Sequence, residues 1–239
     1  MVNKNFKIFV DFDGTITKRD VGDAIFLEFG NKAKTEGIIV DLLSGKLSAR
    51  DTWIQLCNTI DNADADIMGS FVDTIEMDET FHHFVDFCKG NNLDLFVLSD
   101  GFDFYINRIF RRENLQDVKF FCNKLEIKDG KMIPSFPYYD ETCSTSANCK
   151  QNHVISNSSD EDYTVYIGDG NSDKHPAQFC DYIFAKHGLL KYCEKERITF
   201  FPYQNFNDVI KKLEELGNKK RLKKRHQAEL KRKERYMIE

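Results

Sequence analysis

Apolar residues in this chain follow two rhythms. Short runs of β-favouring residues recur at Phe6-Lys7-Ile8-Phe9-Val10, Leu93-Asp94-Leu95-Phe96-Val97-Leu98, Tyr163-Thr164-Val165-Tyr166-Ile167, Tyr182-Ile183-Phe184-Ala185 and Ile198-Thr199-Phe200-Phe201. This is the pattern of strands covered on both faces of a parallel sheet. Between them apolar residues return every three or four positions, as on a buried helix face: Phe81, Phe84, Val85 and Cys88; Phe102, Tyr105, Ile106, Ile109 and Phe110; Phe206, Val209, Ile210, Leu213 and Leu216. Arg108, Arg111 and Arg112 read as the solvated side of the second of these helices. Asp129-Gly130 between two β-favouring runs predicts a hairpin over Phe120 to Ile133. Strands alternating with helices predict an α/β fold.

Some 80 residues separate Thr15 from Ser99, far more than one crossover helix needs. Within them Val21, Ala24, Ile25 and Leu27, then Ile38, Ile39, Leu42 and Leu43, then Trp53, Ile54, Leu56 and Cys57, then Ile67, Phe71 and Val72 repeat at helical spacing. Gly30, Gly45 and Asp61-Asn62 interrupt them, and Ser48 is a candidate N-cap. The expected organisation is a core of residues 1–15 and 77–217, a small inserted helical bundle over 16–76 acting as a cap, and a basic tail over 218–239, helical or disordered.

Composition is that of an ordinary soluble protein, 41% hydrophobic and 31% charged. No apolar run approaches the length of a membrane span. The first strand turns acidic too soon for a signal peptide, so a cytoplasmic enzyme is expected. Seven cysteines without framework spacing read as small apolar core residues of a reducing compartment. Cys143 and Cys149 share a loop with Lys150 but lack further ligand types nearby. The charge is uneven: residues 218–239 carry ten Lys/Arg and three Glu, whereas 1–217 carry 24 basic and 36 acidic residues, a net −12. An acidic body argues against nucleic acid as substrate.

The chemistry lies where the strand-like runs end, since ligands of open α/β sheets bind beyond the carboxyl ends of strands. The first run ends in Asp11-Phe12-Asp13-Gly14-Thr15. Two carboxylates in such a turn can take different roles, one ionised against a metal and able to act as nucleophile, the other carrying a proton. The second run ends in Ser99-Asp100-Gly101, a hydroxyl with glycine-freed amides suited to phosphate. The third ends in Gly168-Asp169-Gly170-Asn171-Ser172-Asp173, whose carboxylates are hard ligands for Mg²⁺. Lys150 supplies a positive charge between them.

DxDGT, a strand ending in Ser, a Lys and GDGxSD, in that order, together resemble the haloacid dehalogenase superfamily of phosphatases. The resemblance implies a Rossmann-like parallel sheet with a helical cap inserted after the first motif. It further implies Asp11 as nucleophile, forming an aspartyl-phosphate, and Asp13 as general acid and then base. Mg²⁺ would be held by Asp11, the Asp13 carbonyl and Asp169, with Asp173 either coordinating or orienting. Thr15, Ser99, Asp100, Gly101 and Lys150 form the expected phosphate-binding set. Asp20, opening the insert, is either a substrate contact or helix N-terminal charge.

The stretches Asp11 to Thr17, Ser99 to Phe104, Cys149-Lys150, Phe184 to Leu190 and Pro202 to Phe206 look like the methionine-salvage branch of that superfamily, whose substrate is 2-hydroxy-3-keto-5-methylthiopentenyl-1-phosphate. Asp100 departs from the Gly common in that branch, and Gly170-Asn171 looks more like the phosphoserine phosphatase pattern. Phosphoserine, phosphocholine and phosphoethanolamine therefore stay open as substrates. A phosphotransferase and a non-catalytic binding protein are the remaining readings. The expected partner is a small phosphate monoester, not a membrane, with the oligomeric state open.

Overall fold

The structure is a computed structural model and describes residues 4–143 and 146–236. In chain order the first half runs β1 (Phe6–Asp11), α1 (Val21–Phe29), α2 (Lys32–Leu43), α3 (Ala49–Cys57), α4 (Ala65–Val72), α5 (Thr80–Gly90), β2 (Asp94–Phe102), α6 (Asp103–Arg112), β3 (Lys119–Lys128) and β4 (Lys131–Ser135). There follow α7 (Lys150–Ser156), β5 (Tyr163–Gly168), α8 (Lys174–Ala177), β6 (Tyr182–Ala185), α9 (His187–Lys195), β7 (Phe201–Pro202), α10 (Phe206–Gly217) and α11 (His226–Tyr236). The strand order is β4-β3-β2-β1-β5-β6-β7. Every pairing among β2, β1, β5, β6 and β7 is parallel, and β3 and β4 form an antiparallel hairpin.

The chain forms two compact units. One takes Met1–Ile16, Met77–Leu98 and Lys150–Glu239, the other Thr17–Glu76 and Ser99–Cys149. Residues 99–149 thus group with the inserted helices, a division that the hydrophobic pattern did not announce. The pattern locates β-strands through their apolar runs, but which unit a run packs with depends on long-range contacts.

In the first unit β1 is central, and Phe6, Ile8, Phe9 and Val10 are fully buried. Burying each such side chain contributes about 1.5–3 kcal/mol. Phe9 stacks on Phe96 of β2 at 5.4 Å, and Phe81 and Phe84 of α5 meet Phe206 of α10 at 5.0 and 5.1 Å. Asn205 starts α10 through a full capping box with Asp208. The last helix, α11, buries Ala228 and Arg232.

In the second unit α1 to α4 carry side-chain N-caps from Asp20, Asn31, Ser48 and Asp64. Trp53 packs on Phe26 at 5.8 Å and on Phe102 at 5.0 Å. Arg111 of α6 is exposed as expected, but Arg108 and Arg112 are not merely solvated. Arg108 makes a bidentate pair with Asp73 at 2.8 and 2.6 Å. Arg112 donates to the carbonyls of Val72, Asp73 and Ile75 just past α4, where free carbonyls favour a cation. All seven cysteines are buried. Among the described residues no helix is long and apolar enough to cross a membrane.

Candidate active site

β1 delivers Asp11 to its carboxyl end, 4% exposed and opposite Leu98 of β2. The chain then turns at once, with the amides of Thr15 and Ile16 donating to the Phe12 carbonyl. Gly14 makes the turn possible at φ +74°, and a Cβ there would lie 2.9 Å from Asp169 Oδ2. Asp13 sits in this turn, half-buried. Next door β5 ends at Gly168, where a Cβ would lie 2.5 Å from Asp173 Oδ2. The glycines flanking the two acidic segments are therefore what allow their carboxylates to approach.

Asp11, Asp169 and Asp173 each offer a carboxylate oxygen within 4.8 Å of the other two. Lys150, the first residue of α7, is fully buried beside them. Its Nζ donates to Asp11 Oδ1 at 2.5 Å, to Asp173 Oδ1 at 2.9 Å and to Ser172 Oγ at 2.9 Å. Asp173 is engaged on all sides. Its Oδ1 accepts from Lys150 and from the Tyr166 hydroxyl at 2.7 Å, while its Oδ2 accepts the amides of Asp169 and Gly170 at 3.0 and 2.9 Å. A carboxylate has about four lone-pair positions, so these donors occupy them. Asp11 and Asp169 keep oxygens facing the cluster. Asp173 also holds the loop and the lysine in place.

The electrostatics follow from burial. Loss of hydration, then repulsion from Asp173, pushes Asp11 well above the usual carboxylate range, against the pull of Lys150. Burial and Asp173 also raise Asp169, opposed by Lys186 and by a hydrogen bond from Thr15. For Lys150 burial would lower the pKa, but the charges of Asp11 and Asp173 outweigh it and hold the ammonium protonated. Three carboxylates around one buried ammonium leave a deficit of positive charge. Hard oxygen donors in a charge-deficient cluster fit a divalent cation such as Mg²⁺.

Thr15, expected at the phosphate, donates its hydroxyl to Asp169 Oδ1 at 3.2 Å. Asp11, Asp13, Thr15, Lys150, Asp169 and Asp173 all belong to the first unit. The other expected residues belong to the second. There Ser99 is fully buried and its Oγ accepts the Gly101 amide at 2.9 Å. Asp100 accepts the Asn148 amide at 2.7 Å through its carboxylate and the Asn123 side chain at 2.6 Å through its carbonyl. Asn148 also donates to the Ser99 carbonyl at 2.7 Å. Asp20 caps α1 by accepting the Asp23 amide at 2.8 Å.

Four residues of these networks were not singled out from sequence: Tyr166, Ser172, Asn123 and Asn148. Tyr166 carried a usable signal, being the hydroxyl-bearing side chain in the middle of an apolar strand whose buried polar end needs a partner. Asn123 lies in the first strand of the predicted hairpin and Asn148 in the loop before Lys150, and nothing local marks either side chain.

The family model described as "Putative Phosphatase" matches residues 6–199. The 2-hydroxy-3-keto-5-methylthiopentenyl-1-phosphate phosphatase of Bacillus mycoides (strain KBAB4) is 31% identical over 215 residues, 89% of this chain and 97% of that protein. The protein of the same description from Bacillus cereus (strain B4264) is 29% identical over 208 residues, 86% of this chain and 94% of its own. Among solved structures, a phospho-aspartyl intermediate analogue of phosphoserine phosphatase superposes with a TM-score of 0.67 at 22% identity, covering 88% of this chain and 99% of that one. A HAD family hydrolase from Salmonella enterica serovar Typhi gives 0.68 at 17% identity, covering 87% and 71%. These two likenesses show the fold alone, a mostly parallel sheet flanked by helices. With its acidic cluster at the ends of β1 and β5 and a family match spanning most of its length, the chain belongs to this phosphatase family and is a phosphoric monoester hydrolase.

Proposed function

We propose that the chain hydrolyses a small phosphate monoester through an aspartyl-phosphate on Asp11, and that the physiological substrate is 2-hydroxy-3-keto-5-methylthiopentenyl-1-phosphate in methionine salvage, in the cytoplasm. The observation that carries the chemistry is the placing of Asp11 against Lys150 with Asp169 and Asp173 within reach. The relative from Bacillus mycoides, matched over nearly its whole length, supports the substrate.

Asp11 attacks phosphorus in line with the leaving alcohol, and its P–O bond forms as the ester P–O bond breaks. Asp13, in the half-exposed turn, gives its proton to the departing alkoxide and later takes one from the water that cleaves the acyl-phosphate. Lys150 favours the ionised form of Asp11 against the effect of burial and offers its ammonium to the phosphoryl oxygens. The resemblance places Thr15 in the phosphate-binding set, and within the second unit it gives Ser99, Asp100 and Gly101 the role of phosphate contacts and Asp20 that of a candidate substrate contact. Mg²⁺ would be held by Asp11, the Asp13 carbonyl and Asp169, with Asp173 orienting Asp169. Once bound, a divalent ion neutralises charge between the carboxylate and the incoming phosphate dianion.

The test is phosphate release with Mg²⁺ from a panel containing the methylthiopentenyl ester, phosphoserine, phosphocholine and phosphoethanolamine. The expected result is a kcat/KM for the methylthiopentenyl ester at least about tenfold above the rest, about 1.4 kcal/mol of transition-state preference. A preference for phosphoserine would favour the reading of Gly170-Asn171 as a phosphoserine phosphatase feature.

A further inference from the structure

We propose that the basic C-terminal segment clamps the acidic loop, with Arg232 a positioning residue for Asp169 and Asp173; this rests on reading that loop as metal-holding. The family model stops at residue 199, before this segment. A run of ten basic residues would ordinarily be a solvated surface. Here Arg232 is turned inward, its side chain 2% exposed and that of its partner Asp181 0% exposed.

The loop is closed at its base. The amide and hydroxyl of Thr164, near the start of β5, both donate to Asp181 Oδ2 at 3.0 Å, and the Asp181 amide donates back to the Thr164 carbonyl at 2.9 Å. Residues 164–181 therefore form a closed unit with Asp169 and Asp173 at its far end. Arg232 grips the closure through Asp181 Oδ1 at 3.2 Å, Thr164 Oγ at 3.1 Å and the Phe179 carbonyl. Arg225 adds its amide to Asp181 Oδ1 at 3.2 Å and its Nη2 to the carbonyls of Ala177 and Gln178 at 2.8 and 2.6 Å.

Three consecutive carbonyls at the end of α8 are thus met by two guanidinium groups, where a helix favours cations. α8 starts directly after Asp173, and the Ala177 amide donates to the Asp173 carbonyl at 3.0 Å. The grip on 177–179 is therefore one helical turn from the carboxylate that orients the site. The hydroxyls of Tyr163 and Tyr182 fasten the approach by donating to the carbonyls of Leu222 and Lys223 at 3.2 and 2.5 Å.

The experiment compares the full-length protein with Arg232→Met, Arg232→Lys and the double variant Arg232→Met/Asp181→Asn, which leaves no lone buried charge if the single variant fails to fold. Amide hydrogen exchange is followed without metal, Mg²⁺ binding is measured by calorimetry, and kcat and KM are determined. Expected are faster exchange confined to residues 168–178 and Mg²⁺ affinity weakened about tenfold, the usual effect of losing a ligand's support. KM for the ester should stay within about twofold while kcat at limiting Mg²⁺ falls, and Lys should restore part of the loss. Unchanged exchange and Mg²⁺ affinity in a folded variant, or exchange accelerated equally in β1 and α10, would overturn the proposal. Failure of the wild-type protein to bind Mg²⁺ would instead strike the metal reading, and the exchange pattern alone would then decide the clamp.

Discussion

Lys150 Nζ lies 2.5 Å from Asp11 Oδ1, with the two side chains 0% and 5% exposed. Water competes for neither group, so the ammonium acts on the carboxylate at close to full strength. Burial and the charge of Asp173 still hold Asp11 well above the usual carboxylate range, and Lys150 is the neighbour that draws it back towards the ionised form. In the proposed reaction the ionised carboxylate is the form that attacks.

Replacing Asp11 by Asn keeps the shape and removes the nucleophile. Phosphate release should fall to background under all conditions, while the protein remains folded by circular dichroism. A variant that turns over at an ordinary rate would remove Asp11 from the reaction.

Asp13→Asn removes a proton donor instead. Hydrolysis of an alkyl phosphate should drop by about 10²–10⁴, whereas an aryl ester such as p-nitrophenyl phosphate, whose phenolate leaves unaided, should lose less in the phosphorylation step. Burst kinetics separate that step from hydrolysis of the intermediate. Equal losses in the burst phase for both esters would speak against the role.

Asp11 and Asp169 are both held above the ordinary carboxylate value of 3.8. The metal-free folded protein therefore retains protons that the unfolded chain releases, and the two groups cost stability increasingly as pH rises above that value. A cation competes with those protons. The rise in Tm on adding Mg²⁺ should accordingly be small near pH 4 and grow towards pH 8; a Tm increment that does not vary with pH would contradict this.

Gly14→Ala places a methyl group at φ +74° and 2.9 Å from Asp169 Oδ2. The left-handed backbone alone costs about 1–2 kcal/mol, readable in urea unfolding. Displacement of Asp169 should also raise the Mg²⁺ concentration needed for half-maximal activity. A variant with unchanged stability and Mg²⁺ requirement would show that the turn tolerates the methyl.

His153 on α7 is 7% exposed, and burial lowers its pKa from 6.5 to about 4. The unfolded chain binds this proton more readily, so stability is complete above pH 6.5 and is lost as the pH falls towards 4, by at most about 3 kcal/mol. His153→Leu should flatten that part of the stability profile relative to the wild-type protein. An unaltered slope would place the acid sensitivity elsewhere.

The strands and their acidic ends were legible because apolar runs, glycines and carboxylates all speak locally. The same holds for Ser48 as a helix cap. β2 extends through Ser99, Asp100 and Gly101 to Phe102, past the apolar run, because the backbone there is held by Asn123 and Asn148 from distant segments. The last strand shrinks to Phe201–Pro202, where Pro202 has no amide to continue the ladder. Arg112 and Arg232 illustrate the wider difficulty. Their sequence neighbourhoods are polar and charged, and only the fold reveals the carbonyls and the aspartate that draw them inward.

The polypeptide passes between its two units four times, at 16/17, 76/77, 98/99 and 149/150. No single cut can therefore excise either unit, and removing residues 17–76 alone would strand 99–149 without the helices they group with. Recombining this protein with a relative unit by unit would need two matched segments swapped together, with each junction falling within a few residues of Asp13, Asp78, Ser99 or Lys150.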